Sequence, residues 1–194
     1  MSKQRFPLAV AAAAFGLALG GCATDSTSSA ASGAAATTPT AAAKNYFIIV
    51  PESGRHYIFG DAKLYKMFLA HGEVALTRTR VGAGPKGETL VFAITKDHVK
   101  KKVPSEGELV FDKKVDMSTG PFYGEVYRDG RFRVFGEWKD LQDYLAHNEV
   151  ILTHTRVGEG PKGETVIFAL NKKTVKQGVP NALIAQFKSL HGIN

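Results

Sequence analysis

The chain has 194 residues, with 25 Lys+Arg against 18 Asp+Glu, one Cys and 44% hydrophobic residues. That length suits one ordinary domain or two small ones. The apolar fraction suits a packed core, which excludes a collagen-like, wholly disordered or multi-span membrane chain. A single cysteine excludes an internal disulfide and every Cys-based zinc site.

The first segment is set apart from the rest. Lys3 and Arg5 precede an apolar run over residues 8–19, followed by Gly20, Gly21 and Cys22. A basic start, a short apolar stretch and a small-residue exit describe an export signal, and the run is too short for a stable membrane span. Leu19-Gly20-Gly21-Cys22 resembles the lipobox of bacterial lipoproteins. The resemblance implies that residues 1–21 are a signal peptide and that Cys22 becomes a lipidated N-terminus carrying palmitate-type acyl chains. It also implies, because Ala23 rather than Asp follows, a place in the outer membrane, periplasm-facing or surface-exposed. Residues 22–44 are almost all Ala, Ser and Thr, a composition that cannot offset its ordering entropy and reads as a flexible linker. Removal of Lys3 and Arg5 lowers the net charge from +7 to +5. That is a mild excess for a nucleic-acid binder.

The remainder repeats. Shifted by 76 residues, positions 57–104 match 133–180 without a gap at 27 of 48 positions, so each copy is one supersecondary unit. In the first copy, 45–120, strands are predicted over 46–50 and 56–59, a helix over 61–71, and strands over 73–81 and 89–94. In the second, 121–194, the strands fall at 122–127, 132–135, 149–157 and 165–170, with a helix over 138–147. Asp129-Gly130 marks a tight hairpin. After Pro180 a terminal helix is predicted over 182–191; the matching 105–115 opens on Ser105 and Glu108, a capping-box pair. The fold expected is α+β: a tandem ββαββ duplication, pseudo-twofold, with a mainly antiparallel sheet and helices on one face.

The repeated turn GxGPKGET, at Gly82 and again at Gly158, contains GxGxxG, but a strand follows it where a dinucleotide site needs a helix. A P-loop is excluded because Glu88 and Glu164 stand where lysine is required. From Thr79 to Thr89 the copies share ten of eleven residues, whereas over 61–68 they share only Lys63. Loops ordinarily drift faster than the elements they join. The candidate binding residues are therefore Arg80, Lys86 and Glu88 with Arg156, Lys162 and Glu164, a duplicated basic hairpin able to recognise carboxylates or phosphates.

His71 and His147 are repeated too, but each precedes Gly72 or Asn148, residues suited to a left-handed helix end, and this reads as capping rather than metal binding. No GxSxG, SxxK or cysteine nucleophile occurs in the folded part. No cofactor or metal is expected. These features point to a lipid-anchored, non-catalytic envelope module binding a protein partner or an anionic polymer such as peptidoglycan or lipopolysaccharide. The alternatives are a hydrolase using Glu73/Glu149, Glu88/Glu164 or the histidines in a groove between the copies, and a self-associating structural lipoprotein. The last is favoured if the apolar positions Leu90, Val91, Phe92 and Ile94 form an exposed patch.

Overall fold

The computed structural model describes residues 43–51 and 53–193. The signal, Cys22 and nearly all of the linker lie outside them. The first half contributes β1 (Lys44–Val50), β2 (Arg55–Phe59), α1 (Ala62–His71), β3 (Thr77–Arg80), β4 (Thr89–Ala93), α2 (Lys96–Lys101) and α3 (Glu106–Phe111). The second contributes β5 (Phe122–Arg128), β6 (Arg131–Phe135), α4 (Trp138–His147), β7 (Leu152–Arg156), β8 (Thr165–Leu170), a 3₁₀ turn (Thr174–Gln177) and α5 (Asn181–His191).

All eight strands form one sheet in the order β3-β4-β2-β1-β5-β6-β8-β7. Hairpins give antiparallel pairs within β1–β2, β3–β4, β5–β6 and β7–β8. β2–β4, β6–β8 and the central β1–β5 pair are parallel. The architecture is α+β with a mixed sheet, which corrects the expectation of a mainly antiparallel one. The reason lies in the crossover: α1 carries the chain over the sheet and β3 is laid down at the edge, so β4 returns into the gap beside β2 and runs parallel to it.

The helices also occupy both faces rather than one. Tyr46, Ile48, Phe92 and Phe122 pack beneath α3 and α4, while Phe47, Phe59, Phe132 and Phe168 pack beneath α1 and α5. A strand covered on both sides must be apolar at successive positions, which is what the run Tyr46-Phe47-Ile48-Ile49 provides. Leu90, Val91, Phe92 and Ile94 are likewise all buried, so the two-faced apolar pattern of β4 marks a covered strand and leaves no exposed patch there.

The helix ends follow local chemistry. Asp61 Oδ1 accepts the N–H groups of Lys63 and Leu64 at the start of α1. Ser105 and Glu108 form the capping box at α3. A second box, Thr95 with His98, starts α2, a helix the periodicity did not reveal.

A polar cluster sits at the centre of the sheet. Glu125, on β5 at the centre of the sheet, is fully buried and accepts hydrogen bonds from the hydroxyls of Tyr65 on α1 (2.8 Å) and Tyr123. His191 Nε2 on α5 lies 3.0 Å from both carboxylate oxygens. Burial first, and then the adjacent Glu125, hold both tyrosines well above their usual pKa, so they remain protonated donors. A buried carboxylate is tolerated only when paired and hydrogen-bonded. This one ties a helix of the first half and the terminal helix to a strand of the second. His191→Ala should lower stability by about 2–4 kcal/mol, measured by urea unfolding, because it leaves each oxygen of the buried Glu125 with a single tyrosine hydroxyl and removes packing against Phe187. A loss below about 0.5 kcal/mol would show that the contact carries no load.

Candidate functional site

The shared loops are rigid frames. In the first, Gly84 N–H donates to Glu88 O (3.0 Å) and Gly87 N–H to Gly84 O (3.0 Å); the second repeats this with Gly160, Glu164 and Gly163. Glu88 Oε2 turns back to accept the Lys86 N–H at 2.8 Å, and Glu164 Oε2 accepts that of Lys162 at 2.7 Å. Gly87 and Gly163 have φ of 82° and 84°, the left-handed region that favours glycine. Any Cβ on Gly84 would meet the Glu88 carboxylate at 2.4 Å. The two glutamates are therefore loop staples, a structural reason for their repetition. Burial opposes ionisation of Glu88, but the Glu88 and Lys86 N–H groups outweigh it and hold its pKa below the usual range.

The repeated arginines have different partners in the two halves. Arg80 forks onto Asp112 (2.6 and 3.2 Å) and reaches Glu108 (3.1 Å), with its guanidinium 4.9 Å above the Phe92 ring. Arg78 meets the same buried Glu108 at 2.6 Å. In the second half the positions matching Glu108 and Asp112 are Ile184 and Lys188, so that acid pair is missing. Arg156 pairs instead with Glu159 at 2.7 Å, the residue that replaces Ala83 in the loop. Both arginines are thus engaged within the chain.

Each loop reaches across to the other half. Lys162 Nζ donates to the Leu69 carbonyl near the end of α1, at 3.2 Å. Its counterpart Lys86 lies by the end of α4, where with Pro85 it borders a pocket of about 170 Å³. The pocket straddles the β1–β5 seam. Its floor is apolar, built from Tyr46, Ile48, Ile58, Leu90 and Val126, and its rim is polar, with His56, Lys86, Glu88, Arg128 and Asn148. Among the described residues the Lys86 ammonium has no hydrogen-bond or ion-pair partner, and it is exposed. Arg128 is held by Asn148 Oδ1 (2.8 Å) and Asp129. Desolvation is the chief reason the His56 pKa is lowered, so its ring is neutral at pH 7. A volume near 150 Å³ holds a benzene-sized group. This hollow therefore suits one apolar group of side-chain size with a negative charge beside it, facing Lys86 and Arg128.

The repeated acids and histidines are dispersed. Gly72 and Asn148 take the left-handed conformation (φ 77° and 60°), with His71 and His147 as the last helical residues before them. Glu73 borders a hollow along β3. His147 and Glu149 border a broad one of about 540 Å³ along β7, with Asp140 and Asp143. The first-half counterparts of those aspartates are Leu64 and Met67, so the acidic set is not duplicated. No group of His, Cys, Asp and Glu among the described residues could hold a metal ion. Sequence reasoning did not reach His56 and Arg128, and placed Asn148 only at a helix end; the one signal was position, since Arg128 directly precedes the tight turn at Asp129-Gly130.

The arginines give a sharp contrast. Arg80→Ala, which leaves buried Glu108 to Arg78 and Ser105 and takes both Arg80 hydrogen bonds from Asp112, should destabilise by about 1–3 kcal/mol, and Arg156→Ala by less than about 1 kcal/mol, both by chemical denaturation. Equal losses would contradict these environments. Acid should act on the same cluster. For Asp112 the Arg80 hydrogen bond is the main cause of a pKa below the ordinary 3.8; for Glu108 burial opposes ionisation but Ser105 N–H, Arg78 and Arg80 hold it below 4.5. Groups with depressed folded pKa values stabilise above their unfolded pKa values and cease to do so as pH falls through the folded ones. Thermal stability should therefore fall below about pH 4.5, and less steeply in Arg80→Ala. Set against known protein families, curated proteins and solved structures, the chain matches none.

Proposed function

We propose that this protein is a non-catalytic, lipid-anchored module of the bacterial outer membrane that binds a protein partner or an anionic envelope polymer at the seam of two duplicated ββαββ halves. The halves are related by a pseudo-twofold axis along the strand direction between β1 and β5. The palindromic strand order supports this, as does the placing of α1 and α4 on opposite faces. The observation that carries the binding reading is the seam pocket, where a stapled loop presents the exposed Lys86, beside Glu88, at the rim of an apolar floor. The ligand takes the form of a small apolar group bearing a carboxylate or phosphate. Anchoring through Cys22 rests on the resemblance of Leu19-Gly20-Gly21-Cys22 to a lipobox.

Two experiments test the separate parts. Cells fed an alkyne-tagged palmitate should label the wild-type protein and leave Cys22→Ser unlabelled; equal labelling would sink the anchor. A photo-crosslinking amino acid at Val50, in the pocket lining with Lys86 left in place, should capture a defined envelope component in cells, whereas the same group at the exposed Lys66 on α1 should not. No adduct at Val50, or identical adducts at both positions, would remove the pocket as the binding site.

A further inference from the structure

The end of the sheet opposite the stapled loops carries a second repeated feature. β2, β4, β6 and β8 all run antiparallel to β1 and β5, so the C-terminal ends of β4 and β8 lie at the same end of the sheet. β1 begins at that end too, so the preceding chain enters there, at Lys44. Beyond β4 comes α2 and beyond β8 the 3₁₀ turn. The two stand five strand spacings apart, roughly 24 Å, with the chain entry between them.

Both flanks expose the same residue types at matching positions. Val99 and Val175 are 50% and 41% exposed, and Val103 and Val179 are 40% and 47% exposed. Around them Lys96, Lys100, Lys101 and Lys102 on one flank and Lys172, Lys173 and Lys176 on the other are exposed. Residues 95–106 and 171–181 together hold those seven lysines against two acids, Asp97 and Glu106. Large exposed valines among lysines gain nothing from water, and four of them recur pairwise across the copies. Lysines surrounding exposed apolar side chains are the composition of a surface that lies on an anionic lipid interface.

We infer that this end of the folded module docks on an anionic lipid surface, with the Val99/Lys100 and Val175/Lys176 clusters as two footholds on either side of the chain entry. Charge complementarity selects the partner: seven lysines face phosphate-bearing headgroups, while the seam pocket at the other end points away. The inference relies on the anchoring proposal only for where in the cell the surface is met.

The test uses residues 23–194, which lack both the apolar signal run and Cys22, so its outcome is independent of lipidation and of the pocket. Single cysteines placed by Val99→Cys, Val175→Cys or, as the control at the loop end, Val157→Cys carry an environment-sensitive fluorophore. Vesicles are phosphatidylcholine alone or mixed with phosphatidylglycerol. Expected is a blue shift at positions 99 and 175 on the mixed vesicles only, reversed by about 0.5 M NaCl through screening. Lys100→Glu with Lys176→Glu should reduce partitioning about tenfold or more with an unchanged circular dichroism spectrum. No shift at 99 and 175, an equal shift at 157, or an equal shift on phosphatidylcholine alone would overturn the proposal. So would tighter binding to soluble polyglutamate than to the mixed vesicles, which would assign the lysines to an acidic polymer.

Discussion

The parallel ladder between β1 and β5 is the contact on which the rest depends. It aligns seven residues of one half with seven of the other, from Lys44 opposite Phe122 to Val50 opposite Arg128. Without it each half would be a four-stranded sheet with a bare apolar edge, a standing invitation to aggregate. With it, both inner edges are satisfied, and the remaining outer edges are the short strands β3 and β7. The same ladder brings Tyr65 of one half within reach of Glu125 of the other, and it places a stapled loop of one half against the helix end of the other. Fold, polar latch and pocket are consequences of one pairing.

The two halves have specialised unequally within that frame. The first keeps a buried glutamate, Glu108, satisfied by two arginines and a capping serine. At the matching position the second has Ile184, in a longer terminal helix that delivers His191 to the sheet centre. An apolar residue in place of a buried ion pair is a change that proteins tolerate well. The matching arginine, Arg156, has its partner, Glu159, in its own loop. The two halves thus share strand order more closely than side-chain pairing.

Much of this was legible in the residues. All eight strands fall where the residue pattern put them, although those expected over 73–81 and 149–157 begin only at Thr77 and Leu152; Asp129-Gly130 located its hairpin with both residues at positive φ, and the Ser105/Glu108 pair located α3. The loop glycines and Pro85 announced a fixed turn, although the reason for Glu88 and Glu164 emerged only when their carboxylates were seen folded back on Lys86 and Lys162. What stayed hidden was non-local. Hairpin signals report antiparallel neighbours and say nothing of a strand returning by a crossover, so the parallel pairs were missed. The second helix layer was missed for the same reason, although β1's unbroken apolar run carries the imprint of two covered faces. Glu125 and His191 escaped because reading a duplication selects what the copies share, and this latch is built from what they do not. His56 and Arg128 escaped because a pocket at a seam exists only once the seam does.

Site and surface also have a spatial logic. The loops, Lys86 and the pocket rim lie at one end of the strands, and the chain entry with its flanking lysines and valines at the other, so a molecule held by the second end presents the first to its surroundings. All of it requires that the halves behave as one body. Native-state hydrogen exchange of the β1 and β5 amides is the direct measurement. The account predicts that the amides pairing Phe47, Ile48 and Ile49 with their β5 neighbours exchange only through global unfolding, at the same free energy as those of β2 and β6. Exchange of the seam amides through a lower-energy opening, with each half's own hairpins still protected, would show two independent units and contradict the central claim.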